Sequence, residues 1–261
     1  MSKFPPEHHI FDISDYMRLP ARFLASIFQH TPFRAITFTW LFFICGIAAC
    51  TFFIQEQLIY GSIFFVLKIL FDTVDGEIAR LTKEPRYTGR YLDSICDFFL
   101  NAGFFYSLWA VSKLPGIYFF LAFISMTLQC SLYNYYYVCK RAATKGDTTS
   151  RVKEYKAPTA YSYESQFWVN VLHKCYLVVY GWQDWIVHKF DTTINSQTLS
   201  CGFLTAVSVF GLGTQLAVIL ACFLVKNSAI AVYYFLIASN IYMLLLIVYR
   251  KIKAFHLAKK R

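Results

Sequence analysis

Six stretches of this chain stay apolar for about 20 residues or more: 33 to 54, 57 to 80, 90 to 112, 115 to 138, 203 to 225 and 228 to 249. At about 1.5 Å of rise per residue, each run is long enough as an α-helix to cross a hydrocarbon core of about 30 Å. A helix also satisfies its own backbone polar groups there, which an open strand cannot. The expected fold is an all-α integral membrane bundle of six transmembrane helices. Composition agrees, because charged residues make up 15% of the chain and hydrophobic ones 57%, whereas soluble domains carry about 25% charged residues. Residues 1 to 10, MSKFPPEHHI, lack the apolar segment of a secretory signal, so the N-terminus is expected to be retained.

An even number of spans puts both termini on one side, and the basic residues indicate which. All but three of the 25 Lys and Arg fall in the N-terminal arm, the 80 to 90 linker, the 140 to 200 region or the C-terminal tail; Lys113 and Lys226 fall in the opposite loops and Lys68 within a span. The positive-inside rule then places both termini and the 80 to 90 linker in the cytoplasm. The net charge of +10 is read as topology and contact with anionic lipid, since no nucleic-acid motif accompanies it. Whether the membrane is a bacterial inner membrane or a eukaryotic endomembrane stays open.

Two cytoplasmic pieces lie outside the spans. Residues 1 to 32 form an arm in which 8 to 30 mixes Ile10, Ile13, Met17, Leu19, Phe23, Leu24 and Ile27 with Arg18 and Arg22, the pattern of an interfacial amphipathic helix, broken or kinked near Pro20. The remainder, 33 to 261, is the six-helix domain with a long insert at 141 to 200. That insert opens polar and turns aromatic from Tyr161 to Phe190. Asn170, His173, Lys174, Gln183 and Asp184 make it too polar to span comfortably, so a helix lying on or in the interface is expected ahead of a re-entrant hairpin. The eight cysteines are scattered without CxxC spacing and read as inert packed thiols. No HxxxH pair is present among the six histidines, which leaves carboxylates as the credible metal ligands.

Those carboxylates are concentrated between Asp72 and Asp97, in FDTVDGEIARLTKEPRYTGRYLDSICDF. At 100° per residue, Asp72, Asp75, Gly76, Ala79 and Arg80 fall within an arc of about 140°, while Val74 and Ile78 face away, as toward lipid or another helix. Gly89, Asp93 and Asp97 form an i, i+4 ladder on the next span, continued by Asn101. Two antiparallel helices with these stripes facing would gather four carboxylates around one cavity. Ionised groups at membrane depth are costly unless paired, and oxygen-only ligation suits Mg2+ or Mn2+. Two ions are the natural count for four carboxylates, with one still open. Lys68 lies on the same stripe one turn deeper, where it can balance Asp72, snorkel toward it or line the pocket.

The pattern D-x2-D-G-x2-A-R-x8-G-x3-D-x3-D resembles, at all eight specified positions, the signature of the CDP-alcohol phosphatidyltransferase family. Chance agreement is roughly one in 10^10 per starting position. The resemblance implies a metal-dependent membrane transferase of phospholipid synthesis, in which an alcohol hydroxyl attacks the donor phosphorus and CMP leaves. It implies Asp72, Asp75, Asp93 and Asp97 as metal ligands, with Asp97 also the general base. Asp72, Gly76, Ala79, Arg80 and Gly89 are implied to bind the CDP-linked donor, the small residues bordering cytidine and Arg80 its phosphates. A homodimer is implied as well. Spacing alone does not separate the roles of the four Asp residues.

The acceptor is less legible. Lys140, Arg141, Lys145 and Arg151 form a basic cluster that would attract a phosphorylated alcohol, and Lys140, Arg141 and Arg151 are taken as the acceptor candidates beside the positive-inside reading of the same residues. The favoured reaction passes a phosphatidyl group from CDP-diacylglycerol to a small alcohol, because the chain is short. The alternative passes phosphocholine or phosphoethanolamine from a CDP-alcohol to diacylglycerol. A cation transporter with an acidic site is the remote reading. It would spread polar groups along several spans, whereas here the strong charges gather at one end.

Overall fold

The computed structural model of the protein describes residues 10–144, 156–190 and 199–259, and every regular element among them is helical. Helix α1 spans Arg18–Phe28, α2 Ala35–Ile54, α3 Leu58–Leu81, α4 Tyr87–Ala110 and α5 Gly116–Ala143. The links between α2, α3, α4 and α5 are short, so each helix runs antiparallel to the one before it. Glu56 and Lys83 take left-handed φ values of 58° and 56°, ending α2 and α3 abruptly in the way a helix C-terminus commonly ends.

Among the described residues, four helical segments are both long and apolar enough to cross a membrane: Ala35–Ile54, Gly116–Ala143, Cys201–Leu224 and Ala229–His256. The expectation was six. Helices α3 and α4 are as long, at 24 residues each, but they carry the charged motif, which removes them from a selection made on apolarity. The halves of that motif lie at the end of α3 and the start of α4, so both fall at one end of the bundle. Helices α3 and α4 pack mainly on α2 rather than on each other. They touch at mid-height through Phe65 and Phe104, with ring centroids 4.6 Å apart, and a cleft lies between them toward the motif end. Phe53 and Phe223 stack at 3.8 Å and Phe105 meets Phe235 at 5.1 Å, closing the core at and below mid-height.

Several elements differ from expectation. Helix α1 is not broken at Pro20. It begins at Arg18, so Pro20 occupies the first turn, where a backbone N–H has no acceptor within the helix. Ala21 and Ala25 bury against Val74 and Ile78 of α3; the face of α3 turned away from the Asp stripe therefore meets a helix. Leu19, Phe23 and Ile27 remain exposed on the opposite side.

The span expected at 203 to 225 is present as Cys201–Leu224, but its helix is interrupted partway. Helix α8 (Cys201–Val207) passes into a 3-10 turn at Ser208–Phe210, and Gly211 turns extended before α9 (Leu212–Leu224) begins. The N-terminal arm fills this break. Ile13 N donates to Ser208 Oγ (2.9 Å) and Tyr16 O–H to the Gly213 carbonyl (3.1 Å). Asp12 meanwhile accepts from Tyr133 O–H at 2.6 Å. A Cβ on Gly213 would run into the Ser14 carbonyl, so glycine here permits a close approach of two backbones.

The last segment runs from α10 (Ala229–Tyr233) through a π turn at Tyr234–Ala238 into α11 (Ser239–Lys259). A π turn shifts the backbone pairing. At this one the Phe235 carbonyl accepts from Ser125 Oγ (2.7 Å), Gln129 Nε2 (3.3 Å) and Asn240 Nδ2 (3.2 Å). The insert contains a second such turn, Leu177–Gly181, joining α6 (Gln166–Tyr176) to α7 (Trp182–Phe190) without a hairpin. Its contacts show its direction. His173 lies 5.5 Å from Tyr91, Tyr180 O–H reaches Ser94 O (2.9 Å), Gln183 accepts from Ser131 (2.7 Å), and Tyr135 bonds His188 (2.9 Å). All of these partners lie in the motif-end halves of α4 and α5, so the insert helix crosses the bundle instead of running along it.

Gly213→Val should expel Ser14 from its seat, lowering stability by about 1–3 kcal/mol as overpacking does and exposing residues 10 to 17 to protease. An unchanged melting temperature in detergent and an unchanged digestion pattern would show that the seat is not tight.

Candidate active site and metal centre

Lys68 stands at the base of the cleft. Its side chain is wholly buried and donates to Asp72 Oδ2 on its own helix (2.7 Å) and to Asp97 Oδ1 on α4 (2.5 Å). The Phe42 ring of α2 covers the ammonium, with its centroid 5.0 Å away. The i, i+4 spacing puts Lys68 and Asp72 on one face of α3, and the α3–α4 packing brings Asp97 within reach. Of the three openings left by the sequence, the pairing with Asp72 is what forms, and Asp97 is joined to it.

Nearer the mouth, carboxylate oxygens of Asp72, Asp75 and Asp93 lie within 4.8 Å of one another. Asp75 is buried and accepts from Thr39 Oγ1 of α2 at 2.9 Å. Asp93 Oδ1 is buried and has no hydrogen-bond partner among the described residues, a costly state for a carboxylate oxygen unless something else satisfies it. Opposite ligands of a Mg2+ ion with bonds of about 2.1 Å stand about 4.2 Å apart. Adjacent ligands stand about 3.0 Å apart, and oxygens already within 4.8 Å of one another can close on one ion as their side chains turn inward, so the three residues suit a hard divalent cation by donor type, by proximity and by the orphaned oxygen. Asp97 lies outside this trio, held by Lys68.

The other motif residues lie on the last turns of α3 and the first turn of α4. A Cβ on Gly89 would meet nothing closer than Arg86 Cβ at 3.7 Å, an ordinary contact. Packing among the described residues therefore does not demand glycine there. A Cβ on Gly76 would lie 3.3 Å from Arg80 Nη2, the movable end of a long side chain. Ala79 and Arg80 are half-buried on the last turn of α3.

Arg80 is not isolated. Glu77, almost fully buried, accepts from Arg80 Nη2 (3.0 Å) and Arg18 Nε (3.1 Å) and pairs with Arg22 at 3.5 Å. One carboxylate thus holds three guanidinium groups and docks α1 onto α3, while Arg80 Nε is buried without a partner. Glu77 occupies an unspecified position of the motif, and sequence reasoning passed over it. The available signal was a lone glutamate three residues before Arg80.

Glu164 was missed too. It precedes α6 and accepts from Tyr87 N (3.1 Å), Thr88 N (2.8 Å) and Thr88 Oγ1 (2.6 Å), capping the α4 N-terminus from 76 residues away. A carboxylate there satisfies orphan N–H groups and the positive end of the helix dipole. Tyr161 stacks on Tyr87 at 4.9 Å and on Tyr163 at 5.4 Å, pinning the segment that precedes α6 over the same end. Burial first, and then the nearby Asp97, holds the Tyr180 phenol well above its ordinary value, so this residue stays a protonated donor beside the site.

Lys140 and Arg141 lie half-buried on the last turn of α5, at the motif end. Lys145 and Arg151 fall outside the described residues. Arg250 of α11 is wholly buried and also escaped notice, because a basic residue near the end of the last apolar run reads as a topology anchor. All eight cysteines are free thiols.

The sequence profile described as CDP-alcohol phosphatidyltransferase matches residues 33–189, from just before α2 to the end of α7. No curated protein and no solved structure matches the chain.

Glu77→Gln keeps the shape of the side chain but removes its charge. The three arginines are partly exposed and can rehydrate, so the expected loss is about 2 kcal/mol, less than for a fully buried pair. Undocking of α1 should appear as a lower melting temperature in detergent and faster tryptic cleavage at Arg18 and Arg22; unchanged cleavage would mean that α1 is held by its alanine contacts alone.

Proposed function

The chain belongs to the CDP-alcohol phosphatidyltransferase family, whose members build phospholipids by transfer from a CDP-alcohol, and on that premise we propose that it transfers a phosphatidyl group from CDP-diacylglycerol to a small alcohol, with or without a phosphate, and releases CMP. The observation that carries this reading is the convergence of Asp72, Asp75 and Asp93, with Asp97 held beside them, in a cleft between two facing helices. It is a multi-pass integral membrane protein; α3 and α4 complete six spans, with both termini and the cleft mouth in the cytoplasm. Leu19, Phe23 and Ile27 of α1 enter the interfacial lipid. Two copies form a dimer.

Asp72, Asp75 and Asp93 would hold Mg2+ or Mn2+. Such an ion, when bound, neutralises charge on the diphosphate and on the departing CMP, the help phosphoryl transfer chiefly needs. Asp72 also faces the donor with Gly76, Ala79 and Gly89, whose small side chains let cytidine approach the backbone. Arg80, steadied by Glu77, offers its remaining donors to the phosphates. The acceptor oxygen attacks the phosphorus that bears diacylglycerol. The P–O bond to CMP breaks, CMP keeps that electron pair, and the hydroxyl proton passes to Asp97. Lys68 engages Oδ1 of Asp97, which leaves Oδ2 for that proton. Lys140, Arg141 and Arg151 draw in an anionic acceptor.

The direct test supplies purified protein and Mg2+ or Mn2+ with radiolabelled CDP-diacylglycerol and a panel of alcohols, and scores CMP and new lipid. Turnover with CDP-choline and diacylglycerol instead would reverse the direction of the proposal, and no turnover with either pair would remove it. Asp97→Asn should lower CMP release by about 10^2-fold or more, as loss of a general base does, while Mn2+ and donor binding persist. Alanine at Lys140 or Arg141 should raise acceptor KM well beyond donor KM; equal shifts would take them out of the acceptor site.

A further inference from the structure

Helix α1 lies before the matched residues 33–189, yet two of its side chains end on the carboxylate that holds Arg80. Glu77 Oε1 accepts from Arg80 Nη2 (3.0 Å) and also from Arg18 Nε (3.1 Å), while Glu77 Oε2 faces Arg22 Nε at 3.5 Å. Resting on the reading of Arg80 as a contact of the donor phosphates, we propose that Arg18 is a positioning residue for the donor. It occupies Glu77, so that Arg80 keeps its charge and its remaining N–H groups for the CDP diphosphate.

Glu77 and Arg80 stand three residues apart on α3, a spacing at which two side chains meet on a helix surface. Left to itself, a carboxylate takes a guanidinium through both oxygens, because the two forks match. Such a pair is neutral and has spent its donors. Helix α1 prevents this. Arg18 shares the oxygen that Arg80 contacts, and Arg22 faces the other. The Arg80 guanidinium consequently lies over Gly76, where Nη2 and Nη1 are 3.3 and 3.5 Å from the place of an added Cβ. By helix arithmetic Gly76 belongs to the stripe that carries Asp72 and Asp75.

Charge points the same way. Asp15 pairs with Arg18 at 3.0 Å, and these five side chains together carry one positive charge in excess, whereas Glu77 and Arg80 by themselves carry none. Arg18 is the stronger of the two α1 partners, since its side chain is 20% exposed against 42% for Arg22 and solvent screens it less.

The test measures, on the detergent-purified full chain with Mg2+, the affinity for radiolabelled CDP together with donor and acceptor KM. Arg18→Gln keeps a hydrogen-bond donor and loses the charge. It should weaken CDP binding and raise donor KM about five-fold, within the range of couplings inside one ion-pair network, and leave acceptor KM in place. Arg18→Lys should restore most of the loss. In a Glu77→Gln background, Arg18→Gln should change CDP affinity no further, because the carboxylate through which it acts is gone. Unchanged CDP affinity in a folded Arg18→Gln, an equal loss in Arg18→Lys, or a loss that persists in full without Glu77 would overturn the proposal. Should Arg18→Gln fail to fold, Arg22→Gln decides: a loss of about two-fold in CDP affinity supports the assignment, and no change overturns it. Arg80→Ala with intact CDP affinity would instead bring down the donor contact of Arg80 itself, an outcome distinct from failure at Arg18.

Discussion

The pairing of Lys68 with Asp72 and Asp97 is the contact on which the cleft depends. It joins α3 to α4 where they otherwise rest on α2, and so sets the spacing of the two halves of the motif. Without it, a wholly buried ammonium and two carboxylates would each require solvation in a region built of Phe42, Phe65 and Phe104. Desolvation penalties of several kcal/mol per ion make the paired arrangement far more favourable than any alternative that separates the three groups. Asp75 is fixed independently by Thr39. The trio near the mouth is therefore held from two directions, by α2 through Thr39 and by the core through Lys68.

Helix α3 serves two opposed faces. One carries Lys68, Asp72 and Asp75 toward the cleft; the other carries Val74 and Ile78 into α1, with Glu77 binding Arg18 and Arg22 at the border. Because Glu77 also holds Arg80, the docking of α1 and the position of the Arg80 guanidinium are set by the same carboxylate. The N-terminal arm is thereby mechanically part of the site, although it lies before the matched region at 33–189. Glu164 acts similarly on α4, fixing the helix end from which Gly89, Asp93 and Asp97 project.

Much of this was legible because helix arithmetic is local. The shared stripe of Asp72, Asp75, Gly76 and Ala79, the ladder of Gly89, Asp93 and Asp97, and the placement of Lys68 on the same side all follow from 100° per residue. The partners of Glu77 and Glu164 did not follow, since both act across long sequence separations and neither belongs to a periodic pattern. The break at Ser208–Gly211 left a trace in the sequence as Gly211 and Gly213, two residues that weaken a helix interior, but apolarity alone read straight through it. The π turns at Leu177–Gly181 and Tyr234–Ala238 have no comparable signature. At the second, the polar groups that answer the shifted backbone, Ser125, Gln129 and Asn240, are scattered over more than a hundred residues. Helices α3 and α4, both read as spans from the sequence, fall outside the four most apolar helices because they carry the charged motif.

The seat of the N-terminal arm imposes an order on biogenesis. Ile13 and Tyr16 bind Ser208 and Gly213, which leave the ribosome nearly two hundred residues later. Ile13 and Tyr16 therefore wait, unplaced, until α8 and α9 have been made. Their arrival is a late step of assembly that cannot precede insertion of most of the bundle. Since the same arm leads into α1 and its grip on Glu77, the cleft reaches its final form only when α8 and α9 receive the segment that precedes α1.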